Sequence, residues 1–152
     1  MTPLRVIAPY DWASLLALIR AEFAFMDGVI DAPSSMHRLT EAEIARQAET
    51  GEVWAIGTPA VACMFLTLKG DWLYLGKLAV ARDQRGKGLA RRLVEQAMAR
   101  AAALGLQGVE LQTRIELTAN HATFAALGFA ETGRSAHPGH ARPTTITFRR
   151  AL

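Results

Sequence analysis

The chain has 152 residues, 51% apolar and 20% charged, which is the composition of a globular protein long enough for one domain and a full core. No apolar run approaches the ~20 residues that span a bilayer, and a single cysteine, Cys63, excludes an internal disulfide framework or a zinc ribbon. Lys and Arg outnumber Asp and Glu by 17 to 14, with a pI near 9.5, but the basic residues form one short cluster and aromatics are few, so neither a nucleic-acid partner nor a membrane is expected.

In chain order, residues 4–7 alternate like a short strand, and Pro9 and Asp11 mark a turn and a helix cap. Trp12, Leu15, Leu16, Leu18, Ile19, Phe23 and Met26 recur at helical spacing, so a helix should run on until Gly28. Residues 27–39 carry Gly, Pro and two serines and read as a loop. Thr40 and Glu43 form a capping-box pattern, opening a helix that Gly51 ends. Three strand-like runs follow: 53–56, 60–68 and 72–80, the last two joined by a tight hairpin at 69–71. The run 60–68 is apolar on both faces, as a central strand should be. Gly76 and Lys77 interrupt the third run, which points to a bulge or a splayed segment; a lysine snorkelling from an edge reads equally well. Cys63, inside an apolar run, is expected to be a buried structural thiol.

A long amphipathic helix is expected over 86–104, with Leu89, Leu93, Val94, Ala97, Met98, Ala101 and Leu104 on its apolar stripe. A strand over 108–113, a helix over about 119–127 capped by Thr118 or Asn120, a strand over 129–134, a turn-rich loop and a last strand over 144–149 complete the chain. The order β-α-α-β-β-β-α-β-α-β-β predicts an α/β fold, a single domain over residues 1–152 with a mixed sheet covered by helices on both faces. The N-terminal Met1–Ile7 stretch has no signal-peptide core, and with one cysteine this leads to an expected cytoplasmic setting.

Residues 82–92 hold five Lys/Arg against one Asp, a local +4 in a chain whose total is +3. Helix first turns ordinarily favour Asp or Glu, because the unpaired N–H groups and the dipole make that end positive. Here Gly86 and Gly88 precede Arg91 and Arg92. A bound anion held by backbone N–H groups supplies the missing negative charge most simply; the bland alternative is a solvated basic face. The pattern is neither a Walker loop nor a dinucleotide fingerprint. His37, His121, His137 and His140 are scattered, so no metal site is expected.

The stretch Arg85-Gly-Lys-Gly88-Leu-Ala90, after a strand with a central break, and the later Asn120 through Leu127-Gly-Phe129 resemble the two cofactor segments of the GNAT family of acetyl-CoA-dependent N-acetyltransferases. The resemblance implies a mostly antiparallel central sheet with one parallel splayed pair. It implies acetyl-CoA as cofactor, its pyrophosphate on backbone N–H groups of Arg85, Gly86, Lys87, Gly88, Leu89 and Ala90, with Arg91 also cofactor-binding. Leu78, Ala79 and Val80 would take the pantetheine arm and polarise the acetyl carbonyl, with Asn120 and Phe124 nearby. An acceptor amine of a small molecule or peptide would attack directly, through a tetrahedral intermediate stabilised as in other acyl transfers. One departure stands out. Phe124 occupies the position where many members carry a Tyr that protonates the leaving thiolate. Tyr74, Glu116 and His121 are the candidates to act as acid or base in its place, and a non-catalytic acyl-CoA-binding domain is the alternative.

Two cues on the acceptor oppose each other. Residues 11–52 carry eight Asp/Glu against three Arg, which would attract a cationic amine. His37, Arg38, His137, His140 and Arg142 would instead read a carboxylate. The resemblance also leaves a homodimer open.

Overall fold

The computed structural model describes residues 1–24, 29–31 and 38–152. Its elements follow the expected order: β1 (Leu4–Arg5), α1 (Trp12–Phe23), α2 (Glu41–Thr50), β2 (Glu52–Ile56), β3 (Ala62–Lys69), β4 (Trp72–Val80), α3 (Leu89–Ala103), β5 (Gly108–Arg114), α4 (Thr118–Ala126), β6 (Ala130–Ser135) and β7 (Thr145–Ala151). Local chemistry explains most boundaries. Asp11 caps α1 by accepting the Ser14 N–H at 3.2 Å. Thr40 caps α2 by accepting the Glu43 N–H at 3.2 Å while the Glu43 carboxylate reaches back to the Thr40 hydroxyl. The expected end of the first helix near Met26 and Gly28 lies outside the described residues, as does His37.

Strand ends shift by one or two residues from the sequence reading, and two helix starts differ from it. The long helix starts at Leu89, because Gly86 and Gly88 take φ of +79° and +77° and cannot be helical; a short 3-10 turn, Arg82–Gln84, precedes them. Helix α4 starts at Thr118 with Leu117 as its N-cap and no side-chain cap. Leu117 is buried and anchors that end, while the Asn120 amide turns away to donate to Thr113 Oγ1 at 3.4 Å.

Among the described residues seven strands lie in the order β1-β2-β3-β4-β5-β7-β6, antiparallel throughout except for β4 and β5. That parallel pair joins only Trp72–Tyr74 with Gly108–Glu110. It is tight where it begins: a Cβ on Gly108 would stand 2.9 Å from the Trp72 ring of β4. Beyond Tyr74 the two strands part. On its other edge β4 bulges against β3, Lys77 and Leu78 standing opposite Met64 alone, and Lys77 takes φ +50°. The break read from Gly76-Lys77 is therefore a bulge at the point where the sheet opens.

Two cores sandwich the sheet. Along β3, Ala62, Met64 and Leu66 pack with Leu93, Val94, Ala97 and Ala101 of α3, while Cys63 and Phe65 point to the opposite face with Leu15, Ile19 and Ile44 of α1 and α2. Each fully buried leucine or isoleucine contributes about 1.5–3 kcal/mol relative to exposure. Cys63 is buried, as expected, and burial pushes its thiol up to about 12. No helix among the described residues is long and apolar enough to cross a membrane.

Candidate active site

The divergence of β4 from β5 opens a cleft of about 980 Å³. Gly76, Leu78 and Val80 line one strand wall, and Leu111 and Thr113 the other. Past Tyr74, β4 pairs with no strand on this side among the described residues, so the edge at Leu78 and Val80 faces the cleft.

One end of the cleft is the loop that enters α3. Gly88 is the helix N-cap in the left-handed region, the cap has no side-chain hydrogen bond, and the first turn holds no acidic residue. Arg92 N–H is bonded to the Gly88 carbonyl at 3.1 Å, so the amides just before it have no intrahelical acceptor. An added Cβ on Gly86 or Gly88 would meet nothing within 4 Å. The glycines are thus required for backbone conformation, and the space beyond them is open. The N–H groups at this helix start and a helix dipole directed at open space suit a diphosphate. Lys87 and Arg91 are exposed beside it, with Lys87 Nζ 3.1 Å from Gln84 Oε1.

Part of the charge that the sequence assigned to an external anion comes from the chain itself. Arg85 Nη2 donates to Glu22 Oε2 at 2.6 Å, and the Arg82 N–H donates to Glu22 Oε1 at 3.1 Å. Arg92 donates to the Met1 carbonyl. Glu22 lies on α1, some sixty residues upstream, and no local pattern marks it.

The cleft lining also includes Arg38, Arg114 and His137. His137 donates its backbone N–H to Thr144 Oγ1 at 3.0 Å, and burial with neighbouring Arg114 and His140 lowers its pKa. His140 pairs with Asp31 at 3.2 Å, which raises its pKa. Arg142 is exposed. The described acidic residues of 11–52 do not build a wall here: Asp11 and Glu43 cap helices, Glu52 pairs with Arg100 at 2.7 Å, and among them Glu22 is the one carboxylate lining the cleft.

The three acid–base candidates are placed differently. Tyr74 lines the cleft where the strands part, and burial, then the nearby Glu110 carboxylate, raises its phenol pKa. His121 Nε2 sits 3.1 Å from the Arg114 carbonyl, and the ring stacks near Phe148, off the cleft. Glu116 accepts the Asp31 N–H at 2.9 Å; its other oxygen is buried and has no hydrogen-bond partner among the described residues. Neither His121 nor Glu116 lines the cleft. Phe124 does, packed edge-on to Phe129 with ring centroids 6.2 Å apart, and Asn120 lies beside it.

A family model described as the acetyltransferase (GNAT) family matches residues 12–129. Among solved structures, an acetyltransferase from Streptococcus agalactiae is similar at 20% identity, covering 99% of this chain and 97% of that one, with a TM-score of 0.76. The ribosomal-protein-S18-alanine N-acetyltransferase of Escherichia coli is 19% identical, with 99% and 92% covered and a TM-score of 0.71. A Bacillus subtilis acetyltransferase in complex with CoA is 14% identical, with 99% and 98% covered and a TM-score of 0.69. At these identities the likeness is one of fold. A search of curated proteins finds no match.

Proposed function

Because the chain belongs to the GNAT family of acetyltransferases, we propose that the β4/β5 cleft is where it binds acetyl-CoA and transfers the acetyl group to the amine of a small molecule or peptide. The chain is an acetyl-CoA-dependent N-acetyltransferase, and the proposal concerns which residues do the work, as one domain over residues 1–152. The observation that carries it is the meeting, in one cleft, of the β4 edge at Leu78 and Val80, beyond its pairing with β5, and a loop of left-handed glycines opening a helix.

When bound, acetyl-CoA supplies an activated thioester whose carbonyl an amine can attack. The amides from Gly86 to Arg91 hold the diphosphate, the Arg85 N–H being taken by the Arg82 carbonyl at 3.4 Å, with Lys87 and Arg91 adding screened positive charge. The free edge of β4 at Leu78, Ala79 and Val80 pairs with the amide groups of the pantetheine arm as another strand would. An N–H of that edge also polarises the acetyl carbonyl; one such donor is worth about 2.7–4 kcal/mol in acyl transfer. Phe124 has no proton to give and serves as an apolar wall. Tyr74 retains its proton across the neutral range and stands in the cleft, which favours it over Glu116 and His121 as the acid for the departing thiolate. That placement also favours an enzyme over a silent acyl-CoA-binding domain. The acceptor enters from the side of Arg38, Arg114 and His137.

The test is thiol release from acetyl-CoA across a panel of amines, with Gly88→Glu as control. Release with one amine class, abolished in the control, supports the reading. Undiminished release in Gly88→Glu contradicts the assignment of the loop.

A further inference from the structure

We infer that Glu22 is a positioning residue for the cofactor: it clamps the Arg82–Arg85 turn so that the amides beyond it are aimed at the diphosphate. The inference rests on the proposed binding of CoA at that loop. Glu22 lies in the last turn of α1, and its side chain is only 9% exposed. A carboxylate buried to that degree is costly unless its lone pairs are satisfied. Its two oxygens are satisfied by two points of one segment, the Arg82 N–H at 3.1 Å and the Arg85 guanidinium at 2.6 Å. These are the first and last residues of the stretch that leads directly into Gly86. The helix on one face of the sheet therefore fixes the loop at the mouth of the cleft.

Charge alone argues the other way. Glu22 lines the cleft as a negative group close to where an anion would bind, so simple Coulomb repulsion makes its removal favourable to CoA. Positioning makes its removal unfavourable, because an ungripped turn lets the amides diverge and binding must then restore their order. The two effects have opposite signs, so one measurement separates them. We expect positioning to prevail. The Arg85 bond is a short, charge-assisted contact on a buried acceptor, the class whose loss matters most.

The experiment compares wild type and Glu22→Gln for binding of CoA by calorimetry and of pantetheine, which lacks the diphosphate, by chemical-shift titration. Thermal melts check that the variant is folded. Glu22→Gln should weaken CoA about tenfold and leave pantetheine affinity unchanged. Arg85→Gln, which removes the same bond from its half-exposed side, should weaken CoA similarly, and the double variant should be little worse than either. Unchanged or tighter CoA binding in both variants overturns the inference, as does an equal loss for CoA and pantetheine, which marks a general structural defect. If wild type itself binds CoA no better than pantetheine, the loop does not hold the diphosphate, and the proposed function fails independently of Glu22.

Discussion

Replacing Gly88 by Ala and, separately, Gly105 by Ala turns the anion loop into a measurable quantity. These glycines flank α3 at its two ends, with φ of +77° and +70°, and an added Cβ on either would meet nothing within 4 Å. Neither substitution clashes, so the cost is purely conformational, roughly 1–2 kcal/mol for an L-residue in the left-handed region. Restriction of the unfolded chain returns about 0.4–1 kcal/mol. At Gly105 the net cost should appear only as lower stability, a Tm drop of about 2–4 °C per kcal/mol in a chain of this length. At Gly88 nothing packed against the new methyl holds the strained form, so the free loop should relax, and binding must then restore it. CoA affinity measured by calorimetry should fall about 5- to 30-fold in Gly88→Ala and stay at the wild-type value in Gly105→Ala. Equal affinities in all three proteins would refute the claim that the left-handed turn at Gly88 presents the binding amides.

Other expectations follow from the same structure. Tyr74→Phe should lower kcat on the order of a hundredfold with little change in KM for acetyl-CoA, and because its phenol is raised, the wild-type rate should show no loss from this group until pH passes its ordinary value near 10; an unaltered kcat removes Tyr74 from the chemistry. For Glu52, burial pushes the pKa up, but hydrogen bonds from Arg100 and Trp54 outweigh it and the net shift is downward. A depressed folded pKa adds stability that is present above the unfolded value and lost as pH falls through the folded one, so denaturant melts should show wild type losing more stability than Glu52→Gln below pH about 4. Cys63, buried with its thiol near 12, should resist a thiol reagent at pH 8 in the native protein and react once denaturant opens the core.

The sequence carried the fold where short-range chemistry decides it. Helix caps at Asp11 and Thr40, the doubly apolar run through Cys63 and Phe65, and the interruption at Gly76-Lys77 each have a local physical cause, and each stands where it was read. The glycine pair was legible as an anion loop, yet the helix start was placed three residues early because spacing cannot reveal that both glycines are left-handed. The same limit explains Leu117: a buried leucine, rather than a capping side chain, stands at the start of α4. Glu22 was illegible for a different reason. Its partners are sixty residues away, and a lone glutamate on an amphipathic helix looks like any solvated charge until the sheet brings α1 beside the loop. The acceptor side was ambiguous in sequence because the local −5 of residues 11–52 counts Asp11, Glu43 and Glu52, which the fold spends on helix caps and an ion pair.

The most direct test of the account is a crystal structure of the chain with CoA bound. The expected result is a diphosphate within hydrogen-bonding distance of the amides between Arg85 and Arg91, with the pantetheine arm along the free edge of β4 at Leu78 and Val80. A diphosphate seated elsewhere, or a pantetheine arm outside the gap between β4 and β5, contradicts it.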